Sequence, residues 1–147
     1  MKINDIDKIR SFNRFYTNIL GLLDNHILKS DFSLPEARIM FELFRNKRLT
    51  ASEIVQQIQI DKGYLSRIIR KFVKIGIIVV SPSQTDKRAA NISLSKSGIK
   101  KFQQLNTASN DQISNIVVQL DRRDVILLLN CMQNIQEILT KAKFNHE

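Results

Sequence analysis

The chain has 147 residues, 43% of them hydrophobic, with only four glycines and two prolines. That is enough for one domain with a sizeable core and too little Gly and Pro for long flexible linkers. The net charge is +9, and residues 61–102 carry ten Lys and Arg against Asp61 and Asp86, so +8 of it lies in that window. A basic patch on an otherwise balanced chain points to a polyanionic partner; the competing reading is a solvated surface that only aids solubility. No apolar run reaches the ~18 residues that a membrane span needs. The start, MKINDIDKIRSF, lacks the apolar segment of a signal peptide. Cys131 is the sole cysteine and has no internal disulfide partner. These features lead us to expect a cytoplasmic protein without a membrane partner.

In chain order, residues 5–28 place Ile9, Phe12, Phe15, Tyr16, Ile19, Leu20, Leu23 and Ile27 at three- and four-residue steps, which predicts a helix. SLPE (Ser33 to Glu36) is a capping box with Pro35 in the first turn. It opens a second helix with Ala37, Met40, Phe41 and Phe44 as the expected buried face. KRLT leaves room for a turn or a brief strand. TASE (Thr50 to Glu53) repeats the start signal and begins a short helix with Ile54, Val55 and Ile58 inward.

Asp61 then caps a further helix, 61–75. Leu65, Ile68, Ile69 and Phe72 share its inner face, and Ser66, Arg67, Arg70, Lys71 and Lys74 share the outer one. Gly76 stops it. IIVV (77–80) and NISL (91–94) read as strands joined by a ten-residue loop, 81–90, which holds Asp86, Lys87 and Arg88. Ser95 caps the next helix, with Ile99, Phe102 and Leu105 inward and its face continued by Ile113, Ile116, Val117 and Leu120. Asp121 caps the last helix, whose Val125, Leu128, Leu129, Met132, Ile135 and Leu139 recur at helical spacing. Ile126 and Leu127 widen that surface beyond one stripe, as Leu22 does in the first helix. A helix this apolar wants cover on more than one side, which a partner subunit can supply.

Two short helices joined by a tight turn, the second basic outside and apolar inside, followed by a β-hairpin, form a winged helix-turn-helix. The chemistry fits a duplex. A helix enters the major groove, arginines there make bidentate contacts to guanine, and lysines meet phosphates. The candidate DNA-binding residues are Lys62, Tyr64, Ser66, Arg67, Arg70, Lys71 and Lys74 on the helix, with Asp86, Lys87 and Arg88 at the hairpin tip. Asp86 and Arg88, two residues apart, share one side of an extended tip, so one can orient the other; the competing reading of such a tip is a solvated turn.

LTASEIVQQIQIDKGYLSRIIRKFVKIGII and DKRAANISLSKSGIKKF resemble the helix-turn-helix and wing of the MarR family of transcriptional regulators, and the likeness spans nearly the whole chain. The Ser66-Arg67 pair stands where that family usually has Thr-Arg. The resemblance implies a mainly α fold with a small β-hairpin: a winged helix-turn-helix lobe at 33–95 and long N- and C-terminal dimerisation helices at 5–28 and 96–143, in one domain of residues 1–147. It implies a homodimer on a pseudo-palindromic double-stranded DNA operator, acting as a ligand-responsive repressor. It implies that Arg88 enters the minor groove while Asp86 holds it. Val79 and Val80 depart from the family pattern, which commonly places basic residues there.

IRSFNRFYTNILGLLDNHIL and FSLPEARIMFEL are similar to the MarR-type half of proteins fused to a GNAT acetyltransferase. A regulatory half of such an enzyme is therefore one alternative function, and a winged-helix module for protein or RNA is another. Nothing in the 147 residues resembles an acetyl-CoA site, so the chain itself is expected not to be an enzyme and to need no cofactor.

The resemblance also implies a small aromatic effector, with Phe12, Phe15, Tyr16, His26 and Phe41 as a candidate ligand pocket; the alternative is that they are core. Cys131, between Asn130 and Met132 on an apolar helix, reads as a buried thiol in preference to a redox sensor. His26 and His146 stand alone, with no metal-ligand spacing around them and no catalytic triad pattern.

Overall fold

The computed structural model describes residues 3–20, 30–82 and 89–144. The chain divides into two compact units, Met1–Ala108 and Ser109–Glu147. The first holds helix α1 (Ile3–Ile19), α2 (Leu34–Asn46), strand β1 (Leu49–Thr50), α3 (Ala51–Ile58), α4 (Lys62–Lys74), β2 (Ile78–Pro82), β3 (Ala90–Leu94) and the start of α5 (Lys96–Val117). The second holds the end of α5 and α6 (Arg122–Phe144). The fold is mostly helical with one small antiparallel sheet, ordered β1-β3-β2. Among the described residues no helix is long and apolar enough to cross a membrane.

Local chemistry sets the helix starts. Ser33 and Glu36 form the expected capping box of α2, and Thr50 and Glu53 form that of α3. The Asp61 carboxylate accepts from Tyr64 N at 2.8 Å and opens α4. Between α3 and α4 the chain turns at Gln59, whose φ of 53° lies in the left-handed region that few side chains adopt. Asp121 caps α6 through Asp124 N at 2.8 Å.

One core joins the first unit. Ile39, Met40 and Leu43 of α2, Ile54 of α3, Leu65, Ile68 and Phe72 of α4, Ile78 and Ile92 of the sheet, and Phe102 and Leu105 of α5 are all buried. Strand pairing closes it from one side: Leu49 faces Ile92, and Val80 faces Ile92 from the other edge. Ile77 and Phe32 complete the cluster.

Several expectations change. In α2, Phe41 and Phe44 are exposed, and Ile39 and Leu43 take the core with Met40, while Ala37 is half-buried. The aromatic rings lie further round the helix and meet Phe102 of α5, at centroid distances of 6.2 and 4.5 Å. Ile99 is exposed, whereas Phe102 and Leu105 are buried as expected. The strands reach into the expected 81–90 loop as far as Pro82 and from Ala90. Helix α5 ends at Val117, and Leu120 N bonds the Val117 carbonyl in the turn that follows. The expected helix 5–28 is described only as α1, because residues 21–29 lie outside the described residues.

The end of α4 is a Schellman motif. Gly76 N bonds the Val73 carbonyl at 3.1 Å, and Ile77 N bonds the Phe72 carbonyl at 2.8 Å. Gly76 takes φ 71°, where a side chain is strained. Ile77 then receives α5: its carbonyl accepts Ser95 N at 2.9 Å, while Ser95 Oγ donates to the Gly76 carbonyl at 2.6 Å and accepts Gly98 N at 2.9 Å. A Cβ at position 98 would collide with the Ile77 carbonyl oxygen, which is backbone and cannot swing aside.

Two stability predictions follow from these contacts. Gly98→Ala should destabilise the chain by about 1–3 kcal/mol through overpacking, read as a lower urea midpoint at unchanged slope. An unaltered midpoint would show that α5 is not seated on Ile77.

Glu53 supplies the second. Thr50 N and then Thr50 Oγ1 donate to its carboxylate, at 2.6 and 2.8 Å, and hold it below its ordinary 4.5. A depressed folded value means a stabilising contribution that is complete above 4.5 and lost as pH falls through the lowered value. Glu53→Gln keeps an acceptor for the cap but removes the charge, so the decline of the urea midpoint below pH 4.5 should be shallower than in the parent chain. An identical decline would assign the acid sensitivity elsewhere.

Candidate nucleic-acid interface

Helix α4 is built with two faces. Leu65, Ile68 and Phe72 are buried and anchor it to α2, α3 and the sheet. Ile69 is half-buried at the margin. Ser66, Arg67, Arg70, Lys71 and Lys74 are exposed, and Lys62 and Tyr64 are exposed in the first turn. The seven helix residues expected to bind a duplex therefore share one element. Steps of three and four bring Arg67, Arg70, Lys71 and Lys74 onto one outer surface.

Their immediate partners differ. The Arg67 guanidinium lies 5.5 Å from the centroid of the Tyr64 ring, a cation–π approach that limits where the arginine points. Arg70 Nε donates to the Ser66 carbonyl at 3.4 Å, a long bond that leaves the rest of its fork available. Among the described residues, no carboxylate pairs with Lys62, Arg67, Arg70 or Lys74. Lys71 is different. Its Nζ sits 2.7 Å from Glu36 Oε1, a carboxylate buried at the start of α2.

Among the described residues, clefts of about 210 and 310 Å³ lie in the first unit. The larger, about 310 Å³, lies between α3 and α4. Lys62, Ser66, Arg70 and Ser52 line it together with Val55, Leu65 and Ile69, so cations and hydroxyls border an apolar surface. The smaller, about 210 Å³, lies between residues 30–32 and α5 and is lined by Phe32, Lys101, Gln104 and Leu105 among others.

Neither cleft is lined by the aromatic residues expected to form a ligand pocket. Phe12 and Phe15 lie on α1, in which no residue is buried, with exposures of 47% and 61%. Tyr16 is half-buried and stacks on Phe12 at 5.7 Å. Phe41 belongs to the α2 surface against Phe102. His26 lies outside the described residues. None of the described four lines either cleft, and none is buried. The reason is their placement: three sit on one exposed helix and the fourth packs at the α2–α5 contact.

The hairpin rises beside α4. Strands β2 and β3 pair in register from Ile78 opposite Leu94 to Pro82 opposite Ala90. Val79 and Val80 are exposed along it. Asp86, Lys87 and Arg88 lie outside the described residues. Cys131 is exposed, not buried as the sequence suggests, because α6 has no buried side chain among those described. Among the described residues no cluster of His, Cys, Asp or Glu is arranged to hold a metal.

Glu36 is the residue near this surface that sequence reasoning undervalues. Its spacing from Ser33 reveals the cap, but its second oxygen meets a lysine 35 positions away, which no local pattern encodes. Phe32 is the other: it touches the Phe72 ring edge-on at 6.0 Å and appears in no periodic face.

Comparison with known proteins gives consistent results. The MarR family model matches residues 32–90. No curated protein matches the chain. Among solved structures, FabT of Streptococcus pneumoniae in complex with DNA aligns with a TM-score of 0.79 at 15% identity, over 92% of this chain and 98% of that one. A variant of E. coli MarR complexed with operator DNA aligns with a TM-score of 0.73 at 18% identity, over 92% and 99%. Bordetella bronchiseptica BpsR, from a study of how 6-hydroxynicotinic acid regulates its DNA binding, aligns with a TM-score of 0.69 at 12% identity, over 88% and 98%. At such identities the structural likeness speaks for the fold alone, a winged helix. The MarR family model thus covers the winged-helix part of the chain, residues 32–90, and the solved structures share its fold over nearly the whole length.

Proposed function

We propose that this chain is a DNA-binding transcriptional regulator that acts as a homodimer on a pseudo-palindromic operator. The observation that carries the reading is α4: an apolar face locked in the core and an opposite face of exposed Arg67, Arg70 and Lys74, without carboxylate partners among the described residues. A rigid helix with that outer face meets the requirements of major-groove readout, with Arg67 and Arg70 aimed at base edges and Lys62 and Lys74 at phosphates. The family match and the DNA-bound state of the FabT and MarR relatives support it.

The hairpin tip contacts the adjacent minor groove through Arg88, oriented by Asp86, with Lys87 near a phosphate. The protein represses, and a small aromatic effector releases it; the regulation of BpsR by 6-hydroxynicotinic acid supports that last element by analogy. Dimerisation uses the helices at 5–28 and 96–143. The exposed apolar residues of α1 and of α6 support it, because an apolar surface of this extent on a lone subunit calls for cover.

The decisive experiment selects duplexes from a random pool and compares the enriched sequence with random duplex across a salt series. The selected duplex should bind about 10³-fold or more tightly at moderate salt. Equal affinity for both would overturn the specific-regulator reading. In the same assay Arg67→Ala should relax base preference at one position, whereas Lys74→Ala should weaken all duplexes alike and reduce the salt slope by about one.

Association is tested separately by sedimentation velocity of the free chain at micromolar concentration. A species of twice the 17.0 kDa chain mass is expected. A monomer would contradict the dimeric form of the proposal.

A further inference from the structure

The chain at and just before the start of α2 meets α4 at two neighbouring points. Phe32 meets Phe72 edge-on at 6.0 Å. One turn further, Glu36 Oε1 holds Lys71 Nζ at 2.7 Å, while Glu36 Oε2 accepts Ser33 N at 2.9 Å. The Glu36 side chain is 9% exposed and the Lys71 side chain 47% exposed. Both carboxylate oxygens are therefore committed, one to the cap of its own helix and one to α4. An apolar contact such as Phe32–Phe72 fixes distance but tolerates rotation. A charged hydrogen bond is directional, and it sits on the residue next to Phe72. Together the two contacts fix how far α4 lies from α2 and how it is rolled about its axis.

We propose that Glu36 is a positioning residue for DNA readout. It acts through Lys71, without touching DNA, to set the roll of α4 and so the direction of Arg67 and Arg70. Lys71 is then a structural anchor at the edge of the interface in place of an ordinary phosphate lysine. The inference rests on the DNA-binding function proposed above.

Electrostatics gives the test its sign. Glu36→Gln removes a negative charge from beneath a basic surface, so charge alone would strengthen binding to any duplex. Gln still accepts the Ser33 N–H, so the cap survives. If Glu36 positions α4, binding to the selected duplex should instead fall by about tenfold, the scale of one lost charged hydrogen bond. Affinity for random duplex should stay equal or rise. The measurement is the ratio of the two affinities at fixed salt, with thermal melting of each protein alongside.

An unchanged ratio in Glu36→Gln overturns the inference. So does a parallel loss on both duplexes with a lowered melting temperature, which would show a role in folding alone. Lys71→Met is the second variant and keeps the α2 cap intact should Glu36→Gln fold poorly. It too should lower the ratio, whereas a uniform loss on both duplexes would make Lys71 a plain phosphate contact and overturn the inference. The parent protein separates the two levels: no preference for the selected duplex overturns the proposed function and this inference together, while a parent preference retained in both variants overturns only the latter.

Discussion

The backbone of Ile77 is the point on which the winged-helix unit depends. Its N–H closes the end of α4 on Phe72, and its carbonyl accepts Ser95 N at the start of α5. Its own chain becomes β2 one residue later. Three elements thus meet at one peptide, and the two helices each need a permissive glycine. Gly76 supplies the left-handed turn that lets α4 stop, and Gly98 supplies the absent Cβ that lets α5 come within reach. Ser95 binds the arrangement from the far side by donating to Gly76 and accepting from Gly98. The hairpin cannot drift relative to α4 while these bonds hold, because β2 begins at the residue after the junction. A reader of DNA built from a helix and a wing requires that their separation be constant, and short backbone bonds provide that more firmly than side-chain packing.

The charge of the chain takes its meaning from this rigidity. A net +9 alone would attract any polyanion, with an affinity that decays as salt screens it. Discrimination among sequences needs cations held in fixed directions. On α4 the structure supplies three degrees of restraint. Lys62 and Lys74 are exposed, without carboxylate partners among the described residues, Arg67 is guided by the Tyr64 ring, and Lys71 is tied to Glu36. Surface ion pairs usually contribute little, about 0–1 kcal/mol. The Glu36–Lys71 pair differs because one partner is buried, so breaking it leaves a carboxylate with poor access to water.

The parts of the fold legible in the sequence are those that local chemistry encodes. Ser33, Thr50, Asp61, Ser95 and Asp121 each announce a helix within four residues, and each is found capping one. Gly76 announces the end of α4 in the same way. The basic surface of α4 is legible because its apolar face is unambiguous. Legibility fails where two faces of one helix are both apolar. In α2, Ile39, Met40, Phe41, Leu43 and Phe44 crowd the helix, and periodicity cannot tell which arc faces the core and which meets Phe102 of α5. It fails again for Glu36, since a capping box is complete in itself and gives no reason to expect a lysine from another helix. The aromatic residues of α1 allow two readings from sequence, core or pocket, and none of them is buried.

Helix α1 exposes Ile9, Phe12 and Phe15, and α6 exposes Leu127, Leu129, Ile138 and Leu139. Exposed apolar side chains scattered singly are ordinary, but runs of them along whole helices lie outside what lone soluble subunits normally carry. The first unit, by contrast, has a core whose largest side chains, Phe72, Ile39, Met40, Leu43, Ile54 and Leu65, are sealed from solvent. The chain therefore combines a sealed winged-helix core with helices that, among the described residues, carry exposed apolar side chains. In the proposed dimer the second copy satisfies them, and the same association sets two copies of α4 at one separation. The burial that stabilises the assembly would then also fix the spacing of the half-sites, so that affinity for a two-fold operator and stability of the terminal helices rise and fall together.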